Sequence, residues 1–323
     1  MVKDLVTARD PRPVVVDDPR LLDLLDAGAM AEWLGGDAVW SEGAVYLPGA
    51  DAVVWSDIPG DRILRWTAAT GEVTVERTGV EYTNGRTLDL EGRVVACSHG
   101  RRAVERTEAD GTTHVLVDRW SGGRFNSPND VVVKSDGTIW FTDPAYGIIQ
   151  AHEGHGGERE YGDHYVFRFD PVTGDVRPVV VDVEEPNGLA FSPDESLLYV
   201  ADSAAGAGVG HFGGRNHHIR VYDVVHGRLA KNGRLFAEVS PGVPDGFRVD
   251  VHGNVWTSSG DSVQVFAPDG VRLGRVPVPE TVANVCFGGP DLSTLFVAAS
   301  SGLYRVETRT RGCSPADVAG RAR

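Results

Sequence analysis

Short apolar runs of four to six residues recur along the chain, and turns that contain glycine or proline separate them. In the clearest copy, Asn129 precedes a valine-rich run, an Asp-Gly turn follows, and a second apolar run ends at Asp143. Two apolar runs joined by such a turn predict a β-hairpin. The polar residue and the acid at its two ends are therefore expected to lie side by side.

This hairpin pattern occurs six times, at intervals of 39 to 58 residues. One four-stranded propeller blade takes roughly 40 to 50 residues, and loop insertions account for the longer intervals. The sequence therefore predicts an all-β fold, a six-bladed β-propeller. The polar residues that open the six copies are Glu42, Asn84, Asn129, Asn187, Asp245 and Asn284.

The last copy, over residues 281–308, has sequence for only three strands. A propeller ring closes without an unpaired edge when the other terminus supplies the missing strand, and the apolar segment 30–34 is the candidate. An aspartate, a proline and spaced leucines predict a short helix at about 18–25. We expect one domain over residues 1–309 and a polar C-terminal tail over 310–323.

Composition narrows the possible partners and compartment. The formal net charge of −15 argues against nucleic acid or an anionic membrane as a partner. Cys97, Cys286 and Cys313 are an odd number without metal-ligand spacing, which predicts reduced cysteines and no disulfide framework. The chain shows no signal-peptide apolar region and no membrane-spanning apolar run, so a cytoplasmic location is expected.

The six opening residues are the candidate functional site. The first strand of each blade runs beside the central channel, so these residues form a ring around one mouth of it, and all six carry carboxylate or amide groups. Such oxygens are ligands of Ca²⁺, Mg²⁺ or Mn²⁺, and this mixed set suits Ca²⁺ best. The alternative, that Asn and Asp only cap turns, does not explain Glu42 or the repetition.

A second ring is expected behind the first, because each second strand ends 14 or 15 residues after the opening residue. Its members are Asp57, His99, Asp143, Asp202, Ser259 and Ala299. Loop insertions at 147–163 and 204–216 leave the same face and are interpreted as lids. His152, Glu153 and His155 in the first insertion lack the His-Glu-x-x-His order of zinc enzymes, and the Gly-x-Ser-x-Gly motif of serine hydrolases is absent.

Several segments resemble the gluconolactonase, senescence-marker-protein and luciferin-regenerating family, and bacterial gluconolactonases most. They are Ser41-Glu42-Gly43, Trp55-Ser56-Asp57, Ser127-Pro128-Asn129-Asp130, Phe141-Thr142-Asp143-Pro144-Ala145-Tyr146-Gly147 and the segment from Pro186 to Glu195. The resemblance implies a six-bladed propeller with one divalent cation at the channel mouth, held by Glu42, Asn187 and Asp245. Asn129 would face water or substrate, or be a fourth ligand as in related phosphotriesterases.

The function expected from these features is metal-dependent opening of a lactone. The cation, Ca²⁺ in preference to Zn²⁺, Mg²⁺ or Mn²⁺, polarises the carbonyl, and Asp245 orients or deprotonates water. Asn84, Asn129, His99 and Tyr146 are the expected contacts of a small lactone or ester substrate. Two alternatives stay open: a phosphotriesterase or a hydrolase or isomerase of a specialised lactone or ester, and a non-catalytic metal-binding propeller.

Overall fold

A computed structural model describes residues 10–206 and 215–313 and contains six antiparallel sheets of four or five strands. Before the first blade lie strand β1 (Val15–Val16), a 3₁₀-helix (Pro19–Asp23) and strand β2 (Glu32–Gly35). Blade one holds β3 (Ser41–Leu47), a 3₁₀-turn (Pro48–Ala50), β4 (Ala52–Asp57), β5 (Arg62–Thr67) and β6 (Val73–Thr78).

The next two blades each carry an additional short element. Blade two holds β7 (Thr83–Leu88), β8 (Val94–Ser98), β9 (Ala103–Thr107) and β10 (Thr113–Val117), followed by a small hairpin of β11 (Arg119–Trp120) and β12 (Gly123–Arg124). Blade three holds β13 (Val131–Val133), β14 (Ile139–Asp143), the one-turn helix α1 (Tyr146–Ile149), β15 (Tyr165–Phe169) and β16 (Val176–Val180).

The last three blades complete the ring. Blade four holds β17 (Pro186–Phe191), β18 (Leu197–Asp202), β19 (His218–Val225) and β20 (Leu229–Glu238). Blade five holds β21 (Phe247–Val249), β22 (Val255–Thr257), β23 (Ser262–Phe266) and β24 (Arg272–Pro277). Blade six holds β25 (Val282–Gly288), β26 (Thr294–Ala299) and β27 (Gly302–Glu307).

The predicted six-bladed propeller is confirmed. The first strands of successive blades contact one another around a closed circle, in the order β3, β7, β13, β17, β21, β25 and back to β3. Closure by an N-terminal strand is also confirmed, because β2 pairs with β27 as the outer strand of blade six. Trp33 of β2 lies opposite Tyr304 of β27, with ring centroids 4.8 Å apart.

The N-terminal segment makes a second contact that the repeat pattern does not reveal, since β1 adds a fifth strand to blade five by pairing with β24. The helix expected at about 18–25 is a 3₁₀-helix of five residues, Pro19–Asp23, capped by Asp18, whose Oδ1 accepts a hydrogen bond from Arg20 N at 2.9 Å. It is short because the chain turns to bury Leu21 and Leu25 fully against blades five and six. The described part of the chain contains no helix long and apolar enough to cross a membrane.

The C-terminal residues up to 313 pack against the propeller. Gly312 forms a β-bridge with Asp250, which directly follows β21 of blade five, and Thr310 is buried. Residues 314–323 of the expected tail lie outside the described residues, as does His211 in the second insertion. Cys97 and Cys286 are free thiols and are buried in the strands where the sequence places them.

The apolar core lies between the blades. Trp55, Trp140 and Trp256 occupy the second strands of blades one, three and five, and each is fully buried. Burying a large aromatic side chain removes about 150–250 Å² from water, which favours folding by roughly 4–6 kcal/mol before entropy is counted. Because packing between blades carries the fold, the residues at the channel mouth are free to be polar.

Candidate active site at the channel mouth

The structure brings most of the predicted first ring into one cavity. Five of its six residues line a cavity of about 360 Å³ at the channel mouth: Glu42, Asn84, Asn129, Asn187 and Asp245. The sixth, Asn284, lies behind this wall, where its Nδ2 donates a hydrogen bond of 3.1 Å to Glu42 Oε2. Asn284 therefore supports Glu42 and does not face the cavity.

Glycines explain how the ring residues come so close together. In four blades the ring residue is followed by glycine, and a Cβ at Gly43 or Gly188 would overlap the backbone carbonyl of the ring residue in the next blade. Gly43 also has a φ of +57°, which glycine adopts without the strain that a Cβ introduces. Gly188 N donates a hydrogen bond of 3.1 Å to Asp245 O. These glycines let adjacent first strands converge on one small cavity.

Two carboxyl groups line the cavity close together, that of the buried Glu42 and that of the partly buried Asp245, and each lies near enough to the other to affect its pKa. Burial raises the pKa of Glu42 to about 7. Burial and the adjacent charge of Glu42 raise the pKa of Asp245 well above its usual range. A third acid, Asp130, lies fully buried nearby, and its Oδ2 is 3.5 Å from Arg248 Nη1. The pair is electrostatically strained unless a proton or a cation compensates it.

A divalent cation fits this donor set. No Lys or Arg of the described residues donates a hydrogen bond to the carboxyl of Glu42 or Asp245, so their charge has no side-chain counterion of that kind. In residues 10–206 and 215–313, no three His, Cys, Asp or Glu side chains are grouped as a metal site. A cation at the ring would therefore need the amide oxygens of Asn129 and Asn187 beside the two carboxylates, a hard-oxygen set typical of Ca²⁺.

His99 lies behind the cavity wall, although the sequence predicts it as a substrate contact. It is fully buried and is not among the cavity-lining residues; it lies 3.2 Å through Nε2 from Asn84 Nδ2 and 3.0 Å through Nδ1 from the backbone oxygen of Glu153. Because Asn84 Nδ2 and the Glu153 carbonyl are a donor and an acceptor, Nδ1 carries the proton and Nε2 accepts. Burial lowers the pKa of His99 to about 4, so the ring stays neutral. His99 fixes the Asn84 amide with its Oδ1 turned away from the imidazole.

The acids of the second ring are also where the hairpin pattern places them, but their oxygens already accept hydrogen bonds from the backbone. Asp57, Asp143 and Asp202 are fully buried or nearly so, and each accepts hydrogen bonds from two backbone N–H groups just before the first strand of its own blade. These donors are Val39 and Trp40 for Asp57, Asn126 and Ser127 for Asp143, and Glu184 and Glu185 for Asp202, at 2.8–3.2 Å. These carboxylates tie the strand ends of a blade together.

Tyr146 lies on the cavity wall, as predicted. It begins helix α1, which follows Pro144-Ala145, and Ser127 holds this turn by donating to Pro144 O at 2.7 Å and accepting from Gly147 N at 2.9 Å. Burial, together with the acids around the cavity, raises the pKa of Tyr146 well above its usual range. Its hydroxyl therefore stays protonated and can donate a hydrogen bond to a ligand.

The insertion after Tyr146 supplies wall residues that the repeat pattern does not identify individually. Gln150, His152 and Glu153 line the cavity. His155 points elsewhere, with Nε2 2.9 Å from Glu81 Oε2. Only the interruption of the blade period signals this loop in the sequence, and it gives no indication of which side chains turn inward.

A second cavity of about 490 Å³ adjoins the first and shares part of its wall with it. The shared residues are Trp40, Gly206, Val243 and Asp245, and the remaining wall contains mainly small residues together with His217, Ser240 and Thr281. The site is therefore a two-part groove with Asp245 at the junction. Trp40 and Val243 provide its apolar surface.

Comparison with known proteins agrees with this geometry. A family model described as the SMP-30/Gluconolactonase/LRE-like region matches residues 40–301. A gluconolactonase from Zymomonas mobilis is 31% identical over 317 residues, which cover 91% of this chain and 85% of the relative. The pentonolactonase XacC from Haloferax volcanii is 30% identical over 268 residues, 81% of each chain.

A solved structure provides the same comparison in three dimensions. A gluconolactonase from Xanthomonas campestris superimposes with a TM-score of 0.85 at 38% sequence identity, covering 93% of this chain and 95% of that one. The family match, the full-length relatives and the shared propeller are consistent with one another. The chain belongs to the SMP-30/gluconolactonase/LRE-like family.

Proposed function

We propose that this protein is a divalent-cation-dependent lactonase that hydrolyses sugar lactones. The observation that carries the proposal is the pair of closely spaced carboxyls of Glu42 and Asp245 in a cavity whose remaining ring residues are amides. Relatives that align over more than four-fifths of the chain are named gluconolactonase and pentonolactonase. These names support a lactone substrate of five or six carbons.

Glu42, Asn129, Asn187 and Asp245 are the residues that would hold the cation, with Ca²⁺ preferred over Zn²⁺, Mg²⁺ and Mn²⁺ for a mixed carboxylate and amide set. The cation, when bound, supplies Lewis-acid polarisation of the lactone carbonyl. Asn284 keeps Glu42 in place from behind. The donors come from four different blades, so closure of the propeller ring itself assembles the site.

Asp245 has the second role in the proposal. It lies at the junction of the two cavities, where it would be a ligand of the cation and where its carboxylate can orient water and accept a proton from it. Attack by that water forms a new C–O bond at the carbonyl carbon, the ring C–O bond breaks, and the proton held by Asp245 passes to the leaving ring oxygen, which gives a hydroxy acid. Asp143 and Asp202 are poor alternatives as bases because their oxygens accept backbone hydrogen bonds. His99 is a poor alternative because it is fully buried and does not line the cavity.

Asn84 and Tyr146 are positioned to hold the substrate. The amide oxygen of Asn84, left free by its contact with His99, accepts a hydrogen bond from a sugar hydroxyl, and the protonated Tyr146 donates one. Trp40 and Val243 offer apolar surface to the carbon face of a sugar ring. The wall thus combines donors, acceptors and an apolar surface, as small polar ligands require.

The test is a substrate panel with and without chelator. Five- and six-carbon aldonolactones, simple alkyl lactones and phosphotriesters are offered to the purified protein, and acid release is followed above the spontaneous rate. We expect aldonolactone hydrolysis that stops on chelation and returns with Ca²⁺. Phosphotriester turnover without lactone turnover would replace the proposal by its phosphotriesterase alternative, and no turnover of any substrate in Ca²⁺ would favour a non-catalytic role.

A further inference from the structure

Glu153 is an acid in the cavity that the ring does not include. It lies in the loop after α1, four residues beyond the end of that helix, and its side chain lines the cavity with 17% of its surface exposed. Its charge is close enough to Asp245 and Tyr146 to raise the pKa of both. Burial raises the pKa of Glu153 itself.

The backbone of Glu153 is held firmly although the loop is an insertion. Glu153 N donates to Gln150 O at 3.0 Å, and Glu153 O accepts from His99 Nδ1 at 3.0 Å. The next residue, Gly154, packs so tightly on Gly147 that a Cβ there would overlap the Gly147 carbonyl. His99 also contacts Asn84 of the ring, so one buried side chain joins the loop to the ring.

The carboxylate of Glu153 has no strong partner of its own. None of the described residues donates a hydrogen bond to it, and the basic side chain within 4.0 Å of it is that of His152, whose Nε2 lies 3.8 Å away and which is 65% exposed. Its oxygens are therefore available to a ligand. A buried carboxylate gains most from donors that a bound molecule brings with it.

The charged side chains on the described wall of the groove are mostly acidic. Among the described residues, neither Lys nor Arg lines either part of the groove, whereas Glu42, Asp245 and Glu153 do. The charge of a bound divalent cation equals that of Glu42 and Asp245 together. Glu153 is then the one carboxylate on the described wall whose charge stays uncompensated.

We propose that Glu153 is a specificity-determining residue that selects neutral, hydroxyl-bearing lactones and rejects anionic ones, such as those with a phosphate, sulfonate or second carboxylate. This inference rests on the proposed function for the reaction, and it adds the substrate class. Glu153 would accept hydrogen bonds from sugar hydroxyls, and its charge would repel an anionic substituent because like charges brought together without water are strongly unfavourable. The same charge would favour release of the product, since opening the lactone converts a neutral ester into a carboxylate.

The experiment separates binding from turnover. Binding is measured by calorimetry in the presence of Ca²⁺ with D-glucono-1,5-lactam, a neutral analogue without the ester, and with its 6-phosphate. Turnover is measured with the corresponding lactones. The variants are Glu153→Gln and, as the matched control, Glu158→Gln, which removes one negative charge from an exposed position in the same loop that does not line the cavity.

We expect the unaltered protein to bind the neutral lactam at least about tenfold more tightly than its phosphate, and Glu153→Gln to reduce this ratio to about threefold or less. The reduction should come mainly from tighter binding of the phosphate, because the amide of Gln keeps one acceptor oxygen. Glu158→Gln should leave the ratio within about twofold of the original. The kcat/KM ratio of the two lactones should change in parallel.

Three results would overturn the inference: equal or tighter binding of the phosphate by the unaltered protein, an unchanged ratio in Glu153→Gln, or no binding of either lactam. A loss of discrimination in Glu158→Gln as large as in Glu153→Gln would also overturn it, because the effect would then be one of overall charge. Absence of lactone turnover together with the expected lactam discrimination would support the inference and refute the proposed reaction. The two failures are thus distinguishable.

Discussion

The acidic side chains of the two rings at the channel mouth differ in what their oxygens contact. Asp57 and Asp202 of the second ring receive backbone N–H groups, and Asp57 also pairs with Arg62 at 2.8 Å. Glu42 and Asp245 of the first ring lie close together on the cavity wall. Residue type does not separate the acids of the two rings, but position does, because Glu42 and Asp245 line the cavity and Asp57 and Asp202 do not.

The two kinds of contact affect the stability of the fold differently. A buried carboxylate that accepts two backbone hydrogen bonds stabilises the strand ends it connects, since the unpaired N–H groups would otherwise be costly. Two close carboxyls to which none of the described Lys or Arg side chains donates a hydrogen bond repel each other when both are ionised. Such an arrangement is typical of functional sites, where a ligand or cation supplies the missing interaction.

Removing the cation should give the largest difference between loss of activity, which depends on the first ring, and loss of stability, which depends on the second. A chelator is expected to abolish lactone hydrolysis while lowering Tm by less than about 10 °C, because the cation contributes only its binding term and the blades keep their cores. Activity and thermal unfolding are measured on the same samples, and Ca²⁺ is then restored. Full activity after exhaustive chelation would remove the cation from the mechanism.

Asp245→Asn should give the next largest effect. The substitution keeps the shape and one neutral oxygen but removes the charge and the base, so kcat at saturating Ca²⁺ should fall by roughly 10² or more. Occupancy of the cation site is checked independently by calorimetry. Recovery of kcat to nearly the original value at full occupancy would make Asp245 a ligand only.

A substitution in the second ring should instead lower the stability of the protein and leave its activity nearly unchanged. In Asp202→Asn, an NH₂ group replaces one of the oxygens that Glu184 N and Glu185 N contact at 3.1 Å, so one backbone donor loses its acceptor. We expect the free energy of unfolding to fall by about 1–3 kcal/mol, with kcat within about threefold of the original protein. Denaturant unfolding measures this loss.

The control for that measurement is Glu91→Gln, a charge-neutralising change at a turn residue whose side chain is 65% exposed. It should change the free energy of unfolding by no more than about 0.5 kcal/mol. A loss in Asp202→Asn no larger than in Glu91→Gln would show that the backbone contacts of the second ring contribute little to stability.

The fold was predictable because each blade repeats the same information. The hairpin pattern with its polar opening residue locates the first two strands of every blade, and the short sixth repeat requires the strand that Glu32–Gly35 supplies. The fifth strand that β1 adds to blade five was not predictable, because a two-residue pairing has no periodicity to detect.

The site was predictable in position but not in detail. Strand geometry places Glu42, Asn129, Asn187 and Asp245 together, since residues at equivalent repeat positions share one face. The roles of His99 and Glu153 could not be read in the same way. Both depend on how an inserted loop folds back over the ring, and the loop has neither a repeat nor an apolar pattern to fix its path.

The central claim is that the first ring binds a cation and the second ring holds the blades together, and one hairpin tests it. Glu42 and Asp57 lie at the same end of the β3–β4 pair, where Glu42 is opposite Ser56 and Asp57 is opposite Ser41. The measurement is calorimetric titration of Ca²⁺ into Glu42→Gln and Asp57→Asn, with Tm recorded for each. We predict that Kd rises by about tenfold or more in Glu42→Gln with little change in Tm. In Asp57→Asn, Tm should fall while Kd stays within about threefold. Unchanged affinity in Glu42→Gln, or an equal loss of affinity in folded Asp57→Asn, would contradict the account.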